Sequence, residues 1–159
     1  MGQAILNPAQ IPVKLEGDAV INHTIDVSGT PCAITCVSMG NPHCVTFLDN
    51  VDTLDINTVG PELELHPLFP DHVNAEFVQV INRASLKMRV WERGSGETWA
   101  CGTGACAAAV AAVLNGYCQY DQDITVHLKG GTVIIRCQSD GTVTMTGDAK
   151  TVFKGTVEL

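Results

Sequence analysis

The stretch Glu92–Gly116, ERGSGETWACGTGACAAAVAAVLNG, decides the architecture. Its second half predicts a helix that begins near Thr103 or Gly104 and stops at Asn115-Gly116, a pair suited to the left-handed turn that ends many helices. From Ala105 to Leu114 the helix has no polar face. A helix that is apolar all round has to be covered on every side. The rest of the chain supplies the cover as short strands, expected at Cys32–Ser38, Cys44–Asp49, Phe77–Ile81, Leu86–Trp91, Ile124–Leu128, Thr132–Cys137, Thr142–Thr146 and Val152–Glu158. Each is rich in β-branched residues and bounded by Gly, Pro, Asn or Asp. Gly130-Gly131 and Asp140-Gly141 suit hairpin turns. Leu54–Leu65 reads as a helical stretch interrupted at Gly60-Pro61, where a helix could restart. The fold class is therefore α+β: a mixed, strongly curled β-sheet wrapped around a central apolar α-helix, whose alanines let the strands approach closely. No repeat, low-complexity tract or charge block divides the chain, so residues 1–159 form a single domain.

Composition narrows the function. The 159 residues are 45% apolar, enough for one domain with a real core. Nine basic and seventeen acidic residues give a formal charge of −8. There is no basic stripe to hold a phosphate backbone, so nucleic acid is not an expected partner. The longest apolar run lies inside the alanine helix and is far too short to cross a bilayer, so no membrane partner is expected. The N-terminal MGQAILNPAQIPVK has neither a charged n-region nor an apolar h-region, which favours a cytoplasmic protein. Seven cysteines is an odd number. Free thiols in a reducing compartment explain them better than a disulfide framework, and most read as small core residues.

The entrance of the helix is where chemistry is expected. A first turn offers unpaired amides and the positive end of the macrodipole. In Cys101-Gly102-Thr103-Gly104, two of the three residues after the cysteine carry no side chain, so their amides can approach a carboxylate or phosphate closely. Cys101 stands in the same field, worth about 0.3–2 kcal/mol. That field favours thiolate and predicts a lowered thiol pKa. The competing reading is a cysteine that merely packs at a turn; the flanking glycines and the neighbouring Glu92-Arg93 weigh against it.

Three further clusters carry polar groups between strands. In SMGNPHCV, Ser38–Val45, Asn41 is either a turn residue or an amide facing a ligand, and His43 is either a strand-end histidine or a modulator of a thiol. In HVNAEF, His72–Phe77, Asn74 sits just before a strand. Glu92 and Arg93 are either an ordinary surface ion pair or a carboxylate and a guanidinium offered to a zwitterionic amino acid, since a bidentate fork suits carboxylate. A zinc site would want CxxC-type spacing, whereas the chain offers Cys32-x3-Cys36 and Cys101-x4-Cys106, with Cys106 expected in the core; no metal site is expected. A cysteine peptidase would pair Cys101 with a histidine such as His43, but gains little from glycine amides beside an acidic, amide-rich pocket.

GNPHCV, VNAEF and above all ERGSGET-x-ACGTGACA resemble diaminopimelate epimerase, over essentially the whole chain. The resemblance implies an isomerase of lysine and peptidoglycan-precursor biosynthesis that works without pyridoxal phosphate or any other cofactor. Such enzymes have two similar lobes, each a curled sheet around a helix, with the active site between them. This chain resembles the second lobe, its terminal strand 149–159 returning to a first lobe that carries the other cysteine. On that reading Cys101 is one of two acid/base thiols interconverting LL- and meso-diaminopimelate. Gly102 and Thr103 bind the reacting carboxylate through their amides. Asn41, Asn74, Glu92 and Arg93 hold the distal amino acid end, and His43 and Glu92 set the thiol pKa. The implied partners are diaminopimelate, the N-terminal lobe and, through exposed apolar surface, a second copy in a homodimer. Two alternatives stay open: an epimerase or racemase of the same fold acting on another amino acid, and a non-catalytic amino acid-binding module.

Overall fold

Apolar residues alternate along the strands and sort side chains onto the two faces of one sheet. The computed structural model describes residues 1–158. In chain order it contains β1 (Gly2–Gln3), a 3₁₀ turn (Pro8–Gln10), β2 (His23–Val27), β3 (Thr30–Ser38), β4 (Pro42–Phe47), α1 (Ile56–Glu64), β5 (Asn74–Asn82) and β6 (Ser85–Glu92). Then follow β7 (Gly96–Thr98), α2 (Gly102–Leu114), β8 (Asp123–Leu128), β9 (Gly131–Cys137) and β10 (Thr142–Thr146). The strands lie in the order β1-β10-β9-β8-β6-β5-β4-β3-β2, with β7 paired to β6. Two neighbouring pairs are parallel, β4–β5 and β6–β8. Those are the two connections that contain α1 and α2, as parallel neighbours require a crossover.

The sheet curls around α2, which touches β3, β4, β5, β6, β8, β9 and β10. Gly104 through Val113 are all buried. Around them pack Val37, Val45, Val78, Leu86, Met88, Val90, Val126 and Ile135 from the inner face. The outer face packs a second layer, Ile34, Cys36, Cys44, Ala75 and Phe77, against Ile56 and Leu63 of α1 and against Ile11 and Val13. The expected mixed sheet around a central apolar helix is thus present, as an open sheet rather than a closed barrel. Near its two ends, Ile5, just after β1, bridges Ser38 of β3 through two backbone hydrogen bonds of 2.9 Å.

Local outcomes differ from the sequence reading in three places. β1, β2 and β7 were not anticipated, being two, five and three residues long. Ladder bonds to neighbours, not hydrophobic runs, make them strands. α1 runs through Gly60-Pro61 without interruption. Proline lacks one donor, and the burial of Ile56, Gly60 and Leu63 on the same helix outweighs that loss. Residues 152–158 form no ladder and are exposed, Phe153 at 84%. The remaining position of the expected strand 149–159, Leu159, lies outside the described residues.

Candidate active site at the entrance of α2

Val45, Val78 and Val90 face α2. Counting back by two along β4 and β5 and forward by two along β6, the same inward face carries His43, Asn74 and Glu76, and Glu92. Ladder register sets these positions side by side: His43 opposes Asn74, and Ala75 opposes Trp91. The adjoining ends of three central strands therefore present four polar side chains beside the N-terminus of α2. Asn41 and Arg93 are the loop residues at the same ends.

Cys101 is the N-cap of α2. Its backbone is extended, and its Sγ accepts from Gly104 N at 3.4 Å and lies 3.5 Å from Thr103 Oγ1. The amides of Gly102 and Thr103 precede the first helical bond, which Ala105 N makes to Cys101 O. The expected lowering of the Cys101 thiol is not what the environment produces. Burial pushes its pKa up, the Thr103 hydroxyl and Gly104 amide draw it down, and the Glu76 and Glu92 carboxylates push it up again; the net direction is upward. Desolvation of a 6% exposed thiol and two nearby acids outweigh the helix end. Cys106 and Cys137, in the core, are driven further, to about 11 and about 12, by burial first.

The polar neighbours form two connected groups. His43 is fully buried, with Nδ1 2.7 Å from Glu76 Oε1 and Nε2 3.0 Å from Asn41 Oδ1. Asn74 Oδ1 accepts from Arg93 N at 2.9 Å, and Arg93 Nη1 donates to the Asp71 carbonyl at 2.9 Å. Glu92 accepts from the Thr98 hydroxyl through a short hydrogen bond. Glu92 and Arg93 do not pair with each other, which sets aside the surface ion-pair reading. The turn they open is clamped by Glu64 of α1, which accepts from Trp91 Nε1 at 2.7 Å and Gly94 N at 2.8 Å.

The structure thus gathers Asn41, His43, Asn74, Glu92, Arg93, Cys101, Gly102 and Thr103 around one helix entrance. Sequence reading passed over Glu76, Glu64 and Thr98. For Glu76 a signal existed: in NAEFV it occupies a slot that the two-residue alternation assigns to the inner, apolar face. A cavity of about 480 Å³ lies elsewhere, between β3, β4 and α1, lined by Cys32, Thr46, Leu54, Thr58, Glu62 and Phe77, and includes none of these residues. Among the described residues, no three His, Cys, Asp or Glu side chains are grouped to hold a metal ion. No helix among the described residues is long and apolar enough to cross a membrane.

The chain is thus a curled sheet around one helix, with a thiol at that helix's entrance among amides and carboxylates. A sequence model of the family described as diaminopimelate epimerase matches residues 35–152. Proteins named diaminopimelate epimerase are 52% identical in Desulfitobacterium hafniense, 51% in Acetivibrio thermocellus and 49% in Leptospira biflexa. These matches cover 98%, 100% and 100% of this chain and 54%, 56% and 56% of the relatives. The chain belongs to the diaminopimelate epimerase family. It spans about half the length of the curated relatives it matches.

Proposed function

We propose that the chain is the second lobe of a cofactor-independent diaminopimelate epimerase and supplies one of its two acid/base thiols, Cys101. The observation that carries the reading is the placement of that thiol at the N-terminus of α2, next to the unpaired Gly102 and Thr103 amides and within one cluster with Asn41, Asn74, Glu92 and Arg93. Inverting an α-carbon needs a base on one face and an acid on the other. Without a cofactor to absorb charge, fixed dipoles must stabilise the carboxylate as the carbanion develops. The Gly102 and Thr103 amides are positioned for that carboxylate, and the helix end adds its field. Arg93 and the Asn41 and Asn74 amides suit the charged distal end of the substrate, with Glu92 available to its ammonium group. Cys101 acts as thiolate toward one stereoisomer and as thiol toward the other. An upward-shifted free thiol fits this exchange when bound ammonium and guanidinium charges offset the nearby carboxylates. The other thiol comes from a first lobe, or a second copy of the chain brings its own Cys101 across a homodimer.

The test is chiral chromatography of LL-diaminopimelate incubated with the chain alone, and with a separately expressed first half of a relative. We expect no inversion by the chain alone, inversion in the mixture, and its loss with Cys101→Ser. Complete inversion by a strictly monomeric chain, or activity that survives Cys101→Ser, overturns the reading. Ligand binding with no inversion in any mixture points instead to a binding module.

A further inference from the structure

The most deeply buried polar pair in the site joins His43 to Glu76, and Glu76 has no task in that reading. His43 and Glu76 are each 0% exposed, and Glu76 Oε2 has no hydrogen-bond partner. The imidazole lies between two oxygens, Glu76 Oε1 at 2.7 Å and Asn41 Oδ1 at 3.0 Å. A neutral imidazole has one N–H and one bare nitrogen. Facing two acceptors, it would hold that bare nitrogen against an oxygen at hydrogen-bonding distance. Both contacts close only when His43 and Glu76 hold two protons between them. Those are either an imidazolium beside a carboxylate, or a neutral Nε2–H imidazole accepting from a protonated Glu76. Either way Nε2–H donates to Asn41 Oδ1, and the two donors of Asn41 Nδ2 are left for the open side, where Asn41 is half-buried. With one proton fewer, Nδ1–H faces the carboxylate and Nε2 is bare. Asn41 must then turn its amide around to donate inward, and it shows its carbonyl to the open side.

The geometry also ties Glu76 to the thiol. A methyl group on Gly104 would lie 2.7 Å from Glu76 Oε1 and 3.2 Å from Cys101 Sγ, so both atoms line the same face of the first helical turn. We infer that Glu76 is a positioning residue of this site: the proton it shares with His43 keeps Asn41 turned as a donor for a carboxylate-bearing ligand, and its own carboxyl group couples the ionisation of Cys101 to that proton. Burial raises the Glu76 carboxyl and His43 lowers it in part, the net direction being upward. The titratable groups that interact electrostatically with the pair are Cys44, on the opposite face of β4, Glu92 from β6 and Cys101 from α2; Cys101 in turn interacts with Cys106. Loss of the proton would turn the Asn41 amide from one that attracts carboxylate to one that attracts ammonium. The substrate-facing consequence rests on the epimerase reading, whereas the proton inventory rests on the orientation of the Asn41 amide, Oδ1 toward Nε2.

Two measurements on the chain itself decide it. Long-range ¹H–¹⁵N spectra of the imidazoles should show His43 Nε2 protonated from pH 6 to 8. A bare Nε2 with a protonated Nδ1 over that range overturns the inference and needs no variant. The second is the pH profile of Cys101 alkylation by iodoacetamide, followed by peptide mapping. Where Cys101 titrates, the Glu76 carboxylate raises the thiol, so in Glu76→Gln the midpoint moves to lower pH and labelling at a fixed pH below it speeds up about threefold or more. Glu76→Asp restores the wild-type direction. An unchanged profile in a Glu76→Gln protein that melts cooperatively overturns the coupling, because a purely structural role would alter stability and not the midpoint. Neither readout uses turnover, so a failed epimerase assay and a failed proton assignment are separate results.

Discussion

Gly104 carries more of the site than its size suggests. It has ordinary helical φ, so its lack of a side chain matters for space and not for backbone freedom. At an open helix position Gly→Ala gains up to about 1 kcal/mol. Here the added methyl meets Glu76 Oε1 at 2.7 Å in a fully buried pocket. We expect Gly104→Ala to destabilise by about 1–3 kcal/mol in urea unfolding, as overpacked cores do. A midpoint at or above the parent value would show that Glu76 has room to move. A second residue, Glu97, is held by Arg89 Nε at 2.8 Å and Lys129 Nζ at 3.1 Å, and its carboxyl is lowered chiefly by the Arg89 hydrogen bond. A folded carboxyl below its unfolded value contributes stability above the unfolded pKa and loses it as pH falls through the folded one. Glu97→Gln should therefore cost about 1–3 kcal/mol near neutral pH, nearly all through Arg89, since Lys129 is half exposed. The gap from wild type should close as pH drops below the unfolded carboxylate range of about 4.3. Thermal melts at several pH values read it directly; a gap that widens in acid contradicts the assignment.

At the scale of elements, α1 and α2 are buried for different reasons. α2 is covered on all sides and needs only small residues. α1 lies on the outer face, and one glycine lets it dock. A methyl on Gly60 would stand 2.5 Å from the Trp91 ring, the same ring whose Nε1 donates to Glu64 one turn further along α1. Gly60→Ala should thus reverse the usual helix preference. Rather than stabilising by about 1 kcal/mol, it should destabilise and loosen the Trp91–Gly94 turn that carries Arg93. The measurement is Trp91 fluorescence together with the unfolding midpoint, in a Trp99→Phe background. A red-shifted emission and a lower midpoint are expected, and a higher midpoint with unchanged emission would refute the contact.

For the molecule as a whole, we expect the chain beyond β10 to matter for partners rather than for the fold. Residues 147–158 pair with no strand, and Val152, Phe153 and Val157 are at least 79% exposed. Removing residues 148–159 should change the unfolding free energy by less than about 1 kcal/mol, because little buried surface is lost. It should also reduce self-association, or association with a first lobe, if that apolar edge is what a partner covers. Light scattering before and after truncation reads the mass. A large loss of stability with unaltered mass would place the segment in the lobe's own core.

ACGTGACAAAVAAVL determined that a helix would be covered on every side with Cys101 at its mouth, because a polar-free helix has no face for water, and the strand-rich remainder determined that the cover is a sheet. Most of the longer strands from Cys32 onward were legible because β-branched runs bounded by Gly, Pro, Asn or Asp suit a sheet packed on both faces. The short strands β1, β2 and β7 were not: β1 is made a strand by β10, distant in sequence, while β2 and β7 are short hairpin arms laid against β3 and β6. The proton shared by His43 and Glu76, the clamp of Glu64 on Trp91 and Gly94, and the upward direction of the Cys101 thiol were likewise decided only by tertiary structure. Each depends on desolvation and on which charges converge from β4, β5 and β6, and neither quantity is a property of any one segment.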